Sequence, residues 1–291
     1  MSSHPLAEVF GFPVDNMSAE ARRYRQHKLC PFGNRVPNCT KDKAEHPLGV
    51  CSIYDGDDAA ITCPIRFRQE WLIADDAAAF FFPEGTMWTS LTEVRLNDKN
   101  GKSAGNIDVV LVAYDECERV TDFGSLEVQA VYISGNVRRP FEFYMADSPA
   151  RMHMDWAGQT NYPRPDYLSS SRKRLAPQLI YKGGILNAWH KKSAVALSKG
   201  FYDTLPSLEE VACSQADIAW LIYDLVLDEE TNRRSLRLCR TVYTKFEPSL
   251  NQITKSEPGS KDDFVQILQE KLGDKLDNGN APDAPTLDQP L

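Results

Sequence analysis

The chain has 291 residues, of which 42% are hydrophobic and 25% are charged, as is typical of soluble globular proteins. This length allows one large domain or two small ones, each with a buried core. The net charge of −8 argues, at the level of the whole chain, against a nucleic-acid partner. The sequence begins without a basic stretch followed by an apolar one, and no apolar run reaches 18 residues, so neither a secretory signal nor a transmembrane helix is expected.

The predicted elements, taken in chain order, indicate a mixed α/β fold. An early helix is expected from the capping residue Ser18 to about Lys28. Runs rich in β-branched residues predict a central sheet with strands near 93–97, 107–114, 125–134 and 193–198. Residues 220–227 and 235–246 predict a further hairpin. An amphipathic C-terminal helix is expected after Ser260, and Gly273 can end it.

Four of the seven cysteines lie close together in turn-rich surroundings: Cys30, Cys39, Cys51 and Cys63. Loops converging on one ion would form a closed Cys₄ site, which is structural because four thiolates leave no open position for a substrate. The CxxC pairs of zinc ribbons are missing, so four unrelated buried thiols remain an alternative. Without a signal peptide, disulfides are not expected, and the compartment is expected to be cytosolic.

Polar residues interrupt two of the predicted strands. Asp108 lies near the start of one strand, while Glu127 and Gln129 lie two apart on the next and therefore share a face. That face is otherwise apolar, and a carboxylate there is costly unless it is paired or binds a cation. If Asp108 joins Glu127 across the hairpin, the two carboxylates form an oxygen site for Mg²⁺. This is the Asp-x(n)-Glu-x-Lys layout of restriction-type nucleases, with Gln129 where lysine is usual. Exposed polar residues on an edge strand are the alternative.

The charges are unevenly distributed along the chain. Residues 164–200 contain eight bases and one acid, with Tyr167, Tyr181 and Trp189 interleaved. Such a stretch suits a phosphate backbone, although a solvated helix face is an equal alternative. Eight acids and three bases follow position 256, and residues 277–291 have the composition of a disordered tail. The acidic balance of the whole chain therefore does not exclude DNA.

Two blocks of this sequence together resemble the NotI-type (EagI-like) restriction endonucleases. The first block contains residues 6–11 and the four clustered cysteines, and it resembles the metal-binding head of the family. The second is Phe123–Gln129, which resembles the family's Y-G-x-L-E-I-Q catalytic strand. The resemblance covers about residues 6–135.

The resemblance implies a type II restriction endonuclease with a PD-(D/E)XK core and an N-terminal Cys₄ metal-binding subdomain. It implies Mg²⁺-dependent cleavage of double-stranded DNA at a short palindrome. A GC-rich palindrome would favour arginine as the base-reading residue, since arginine pairs bidentately with guanine. It assigns catalysis to Asp108, Glu127, Gln129 and an additional acid, Glu93, and it places one structural ion on the four cysteines, iron rather than zinc. It further implies a homodimer, a cognate DNA methyltransferase as genetic partner and a prokaryotic cytoplasm.

The expected organisation is an N-terminal region with the Cys₄ head over 1–70, a nuclease and DNA-binding core over 71–276, and the tail over 277–291. Candidate DNA contacts are the basic residues Arg138, Arg139, Arg151, Arg164, Arg172, Lys173, Arg174, Lys182, Lys191 and Lys192. Two other functions are alternatives. A non-catalytic DNA-binding protein is disfavoured by the acidic strand pair, because carboxylates repel phosphate unless a cation intervenes. An electron-transfer protein is disfavoured by the missing CxxC pairs.

Overall fold

The structure is a computed structural model that describes residues 4–33, 35–42 and 45–277. Contacts divide the chain into two compact units, the described parts of residues 1–254 and of 255–291. The first unit holds all the strands and seven of the helices named below, and the second holds the C-terminal helix. In the described part of the chain, no helix is long and apolar enough to cross a membrane.

Within the described residues, twelve strands form three sheets. The strands are β1 (Leu6–Val9), β2 (Phe12–Pro13), β3 (Val50–Asp55), β4 (Asp58–Ile61), β5 (Trp88–Asn97), β6 (Ser103–Tyr114), β7 (Val120–Gln129), β8 (Tyr132–Ser134), β9 (Arg164–Asp166), β10 (Ser193–Ser198), β11 (Ile218–Asp228) and β12 (Arg233–Thr244). The central sheet has the order β12-β11-β10-β7-β6-β5, the N-terminal sheet has the order β2-β1-β3-β4, and β8 pairs with β9. In the central sheet β7, β10 and β11 are parallel neighbours, and the outer pairings are antiparallel.

Eight helices accompany the sheets in the part of the chain that the structure describes. They are α1 (Ala19–Gln26), α2 (Leu72–Phe81), α3 (Arg138–Ala146), α4 (Ser148–Arg151), a continuous helix α5 over residues 167–188, α6 (Lys199–Tyr202), α7 (Phe246–Thr254) and α8 (Lys261–Asp277). Shorter 3₁₀ segments lie at Pro64–Trp71 and Cys213–Gln215. Helix α5 contains two π-helical segments, Ser171–Leu175 and Leu179–Gly183.

The middle of the central sheet is covered on both faces, which explains the nearly continuous burial of β10 and of the first half of β11. On one face Leu126 and Val128 of β7 pack in the same core as the apolar residues of α2. On the other face Val195 of β10 packs in a core with Leu175 and Leu179 of α5. Because side chains alternate along a strand, Glu127 and Gln129 lie on the α5 face.

The N-terminal sheet is fixed to the rest of the first unit by an ion pair that excludes solvent. Arg66 Nε lies 3.0 Å from Glu8 Oε2, and both side chains are 0% exposed. Ser52 Oγ also donates to Glu8, while Arg66 donates to Gln69 Oε1 and to the carbonyl of Arg234 on β12. The pair therefore satisfies its hydrogen bonds across four elements, as a buried charge requires.

Most predicted elements are present, with shifted ends. Helix α1 begins after Ser18, whose Oγ accepts from Ala21 N at 3.2 Å. The four predicted central strands correspond to β5, β6, β7 and β10, and the later hairpin to β11 and β12. The strand predicted over 125–134 divides into β7 and β8, which belong to different sheets. Helix α8 continues past Gly273, and the predicted tail lies outside the described residues except for Asp277, which ends α8.

Candidate active site

Three acidic residues lie side by side on neighbouring strands of the central sheet. Thr92 pairs with Val109 and Val94 with Ile107, so Glu93 of β5 lies opposite Asp108 of β6. The last registered pair between β6 and β7 is Val109 with Leu126, and one step further along the strands Asp108 stands opposite Glu127. The register thus brings residues 93, 108 and 127 into one row.

The backbone ladder is interrupted along this row. Asp108 Oδ2 accepts a hydrogen bond from Val128 N at 2.9 Å. The Val128 amide therefore donates to a side-chain carboxylate instead of to a carbonyl of the neighbouring strand. Glu93 has φ of +57° and carries no registered pair. A positive φ at a residue with a side chain costs energy, and such strain is concentrated at functional sites.

Helix α5 covers the carboxylate of Glu127, which is 7% exposed. Lys182 Nζ donates to Glu127 Oε2 at 2.6 Å, and Gln178 Nε2 donates to the same oxygen at 3.1 Å. Gln129 Nε2 donates in turn to Gln178 Oε1. Lys182 and Gln178 are four residues apart on α5 and therefore share a helix face.

The electrostatics of Glu127 differ strongly from those of an exposed carboxyl. Burial and the neighbouring carboxylate of Asp108 raise the pKa of Glu127 to about 8, while Lys182 lowers it by less. Glu127 Oε1 and Gln129 Oε1 are buried and have no hydrogen-bond partner in the described part of the chain. A buried carboxylate oxygen without a donor is an unfavourable arrangement that a bound cation would relieve.

This donor set fits a hard divalent cation. Asp108 and Glu127 offer carboxylate oxygens from adjacent strands, and Mg²⁺ is usually held by one or two carboxylates together with water and substrate phosphates. Glu93 is exposed on β5. Among residues 4–33, 35–42 and 45–277, no group of three or more His, Cys, Asp or Glu side chains is arranged to hold a metal ion. Two carboxylates, rather than three, are therefore brought together.

The predicted DNA contacts differ in accessibility. Arg139, Arg164, Arg172 and Lys173 are exposed and form no ion pair with any described residue. Arg138, Arg151, Arg174, Lys191 and Lys192 are half-buried, and several have partners: Arg138 pairs with Asp42, Lys191 with Asp122, and Lys192 donates to the carbonyl of Phe80. Lys182 is 5% exposed, and its ammonium is directed at Glu127 rather than at solvent.

The four clustered cysteines border one cavity of about 360 Å³. Cys39, Cys51 and Cys63 are buried and Cys30 is half-buried. Burial raises the pKa values of the Cys39 and Cys51 thiols. The cysteines share the cavity, but among the described residues their side chains do not form a group of three or more that could hold a metal ion.

Some residues at these two places were missed by the sequence interpretation. Lys41 lines the cysteine cavity and donates to the carbonyl of Val50 at 2.6 Å and to Thr62 Oγ1 at 3.2 Å. The sequence interpretation gives Gln178 no role and predicts that Lys182 contacts the DNA backbone. Their spacing of four on one helix was a visible signal, but nothing in the sequence indicates that this face meets Glu127.

Comparison with known proteins identifies the family. No curated protein matches the chain. The family model described as restriction endonuclease NotI matches residues 9–236, which include the cysteine cavity, the acidic row and helix α5. Since this match covers well over half of the 291 residues, the chain belongs to the NotI family of restriction endonucleases, site-specific nucleases that bind and cleave double-stranded DNA.

Proposed function

We propose that this restriction endonuclease hydrolyses DNA phosphodiesters with Mg²⁺ held by Asp108 and Glu127, on a PD-(D/E)XK core. The observation that carries the proposal is the meeting of two carboxylates on adjacent strands, where Glu127 Oε1 is buried without a hydrogen-bond donor. Bound Mg²⁺ would supply an acidified water and would offset charge on the phosphate.

The protein groups around the two carboxylates have separate roles in this proposal. The Val128 amide fixes the orientation of Asp108. Gln129 orients a water through its amide, whose oxygen has no other partner among the described residues. Glu93, opposite Asp108 on β5, is an additional acid that binds the cation or orients its water.

The duplex would be positioned by the exposed cations. Arg172 and Lys173 project from α5, the helix that also covers Glu127, so phosphate contacts there would place DNA beside the carboxylates. We propose recognition of a short, GC-rich palindrome, since arginine pairs bidentately with guanine and the other candidates are mostly arginines. A palindrome has two-fold symmetry, which fits a homodimer.

We retain the proposal of a structural metal at Cys30, Cys39, Cys51 and Cys63, iron with zinc as the alternative. It is supported by the shared cavity and by the half-buried Lys41, whose ammonium would balance thiolate charge. Elemental analysis and a visible spectrum of the purified protein test this: thiolate-to-iron bands support iron, a colourless protein with stoichiometric zinc supports zinc, and the absence of both metals refutes the site.

The biological setting follows from the family. A restriction endonuclease needs its own genome protected, so we propose a cognate DNA methyltransferase as genetic partner and the cytoplasm of a prokaryote as location.

The catalytic assignment is tested by Asp108→Asn and Glu127→Gln. Either change should abolish Mg²⁺-dependent cleavage, while DNA binding measured by fluorescence anisotropy is largely preserved. Cleavage by both variants at the wild-type rate would refute the assignment. DNA binding without cleavage by the wild-type protein under any divalent metal would favour the alternative, a non-catalytic DNA-binding protein.

A further inference from the structure

Lys182 is a buried lysine whose only acidic partner among the described residues is Glu127. Its ammonium lies 2.6 Å from Glu127 Oε2 on β7 and 2.9 Å from the carbonyl of Asn106 on β6. These two contacts span the strands that carry Asp108 and Glu127. The stem of Lys182 passes Gly105, where a side-chain Cβ would lie 3.6 Å from Lys182 Cδ.

Burying an ammonium is costly unless its charge and its donors are satisfied. Most of the basic residues in 164–200 avoid that cost by lying at or near the surface. Lys182 is instead buried near the C-terminal end of α5, within the π-helical segment Leu179–Gly183. A π segment adds a residue to a turn and so changes the direction of the side chains that follow, a device common at functional sites. Here Lys182 and Gln178 both reach the same oxygen of Glu127.

The strand position where related nuclease sites carry lysine is occupied by Gln129. Its amide cannot carry a charge, and its Nε2 is bound to Gln178. The site nevertheless contains one ammonium, which enters from the helix rather than from the strand. The two carboxylate oxygens of Glu127 differ in their contacts. Oε2 accepts hydrogen bonds from Lys182 and Gln178, whereas Oε1 accepts none from the described residues.

We propose that Lys182 is the positioning residue of the nuclease site, supplying from α5 the cation that Gln129 does not, and holding Glu127 by Oε2 so that Oε1 is left for the metal ion. This inference rests on the proposed function. Lys182 acts through Glu127 and stays beside the bound cation. It therefore sets the orientation of Glu127 and repels the cation at the same time.

The test measures metal affinity and rate separately. Lys182→Met removes the repulsion, and a dication feels that repulsion twice as strongly as a proton does, so the variant should bind cation more tightly even if Glu127 takes up a proton. We expect the Kd for Ca²⁺, measured by calorimetry without DNA, to fall about ten-fold. Because Glu127 is no longer oriented, the single-turnover rate at saturating Mg²⁺ should fall about 100-fold on a plasmid that the wild-type protein cuts.

Two variants serve as controls. Lys182→Arg retains the positive charge and should keep the Ca²⁺ affinity close to that of the wild type. Lys245→Met removes a lysine from an exposed ion pair with Asp217, 3.3 Å apart, and should change neither quantity. If Lys182→Met does not unfold cooperatively, Lys182→Gln, which loses the charge but can still donate to Glu127, tests the gain in Ca²⁺ affinity.

Opposite changes in affinity and rate support the proposal. Parallel losses of affinity and rate indicate a merely structural lysine and overturn it, as does a wild-type rate. Asp108→Asn is measured alongside: if it still cuts DNA, the proposed function itself fails. If Asp108→Asn is inactive while Lys182→Met behaves as the wild type, only the role of Lys182 is lost.

Discussion

Replacing Glu127 by glutamine should change how the stability of the protein depends on pH. Glu127 is buried beside the carboxylate of Asp108, and both raise its pKa to about 8 from an ordinary value of 4.5. The ammonium of Lys182 faces it from α5 and offsets only part of this effect. Glutamine has nearly the same shape and cannot ionise, so Glu127→Gln removes this titration with little change in packing.

The sign and size of the effect follow from the two pKa values. A carboxyl whose pKa is raised on folding stabilises the protein most fully below its unfolded pKa, and that contribution is lost as pH rises through the folded pKa. One pKa unit corresponds to about 1.4 kcal/mol, so this single site would cost the metal-free protein about 3 kcal/mol between pH 5 and pH 8. The window runs from pH 4.5 to about pH 8.

Urea unfolding in EDTA at several pH values between 5 and 8 measures this loss. The wild-type protein should lose about 3 kcal/mol more than Glu127→Gln over that range. Glu209→Gln, the same chemical change at an exposed carboxyl, should follow the wild type. Parallel stability curves for the wild type and Glu127→Gln would refute the claim that Glu127 is held with a raised pKa.

Three further predictions concern packing and DNA binding. Arg66→Met leaves Glu8 buried without its cation and should lower the free energy of unfolding, measured in urea, by about 3–5 kcal/mol. The control Arg233→Met breaks an exposed ion pair with Glu20 and should cost less than about 1 kcal/mol. Equal losses of stability in the two variants would contradict this distinction. Gly124→Ala places a Cβ 2.5 Å from the ring of Phe81 and should cost about 1–3 kcal/mol in the same assay, and an unchanged midpoint would mean that this contact is not tight. Arg172→Ala and Lys173→Ala should each reduce the slope of log K for DNA against log salt by about 0.9 if they contact phosphates, and an unchanged slope would remove them from the interface.

The hairpin that carries the two carboxylates was predictable, because period-two patterns and β-branched residues mark both strands and a polar stretch joins them. The same pattern placed Glu127 and Gln129 on one face of β7, as the structure has them. It also put Asp108 within reach across the hairpin, and the strand register places Asp108 opposite Glu127. These features depend on short-range spacing, which a sequence displays directly.

The rest depended on packing between distant segments. Lys182 resembles seven other bases in residues 164–200, and only the docking of α5 on the sheet, with its two π segments, distinguishes it. Similarly, Leu6–Val9 is too short to indicate a strand, yet β1 is held by pairing with β3 and by Arg66, which lies 58 residues from Glu8. The segment around the cysteines has few large apolar residues, and Val50 and Ile53 find their core with Phe141 of α3.

Site-specific, Mg²⁺-dependent cleavage is tested most directly by incubating the purified protein with plasmid and genomic DNA, with and without Mg²⁺, and sequencing the fragment ends. We expect discrete fragments only with Mg²⁺, with ends that share one short GC-rich palindrome, and no fragments from Asp108→Asn. Discrete fragments in EDTA, or random degradation with no shared sequence at the ends, would contradict it.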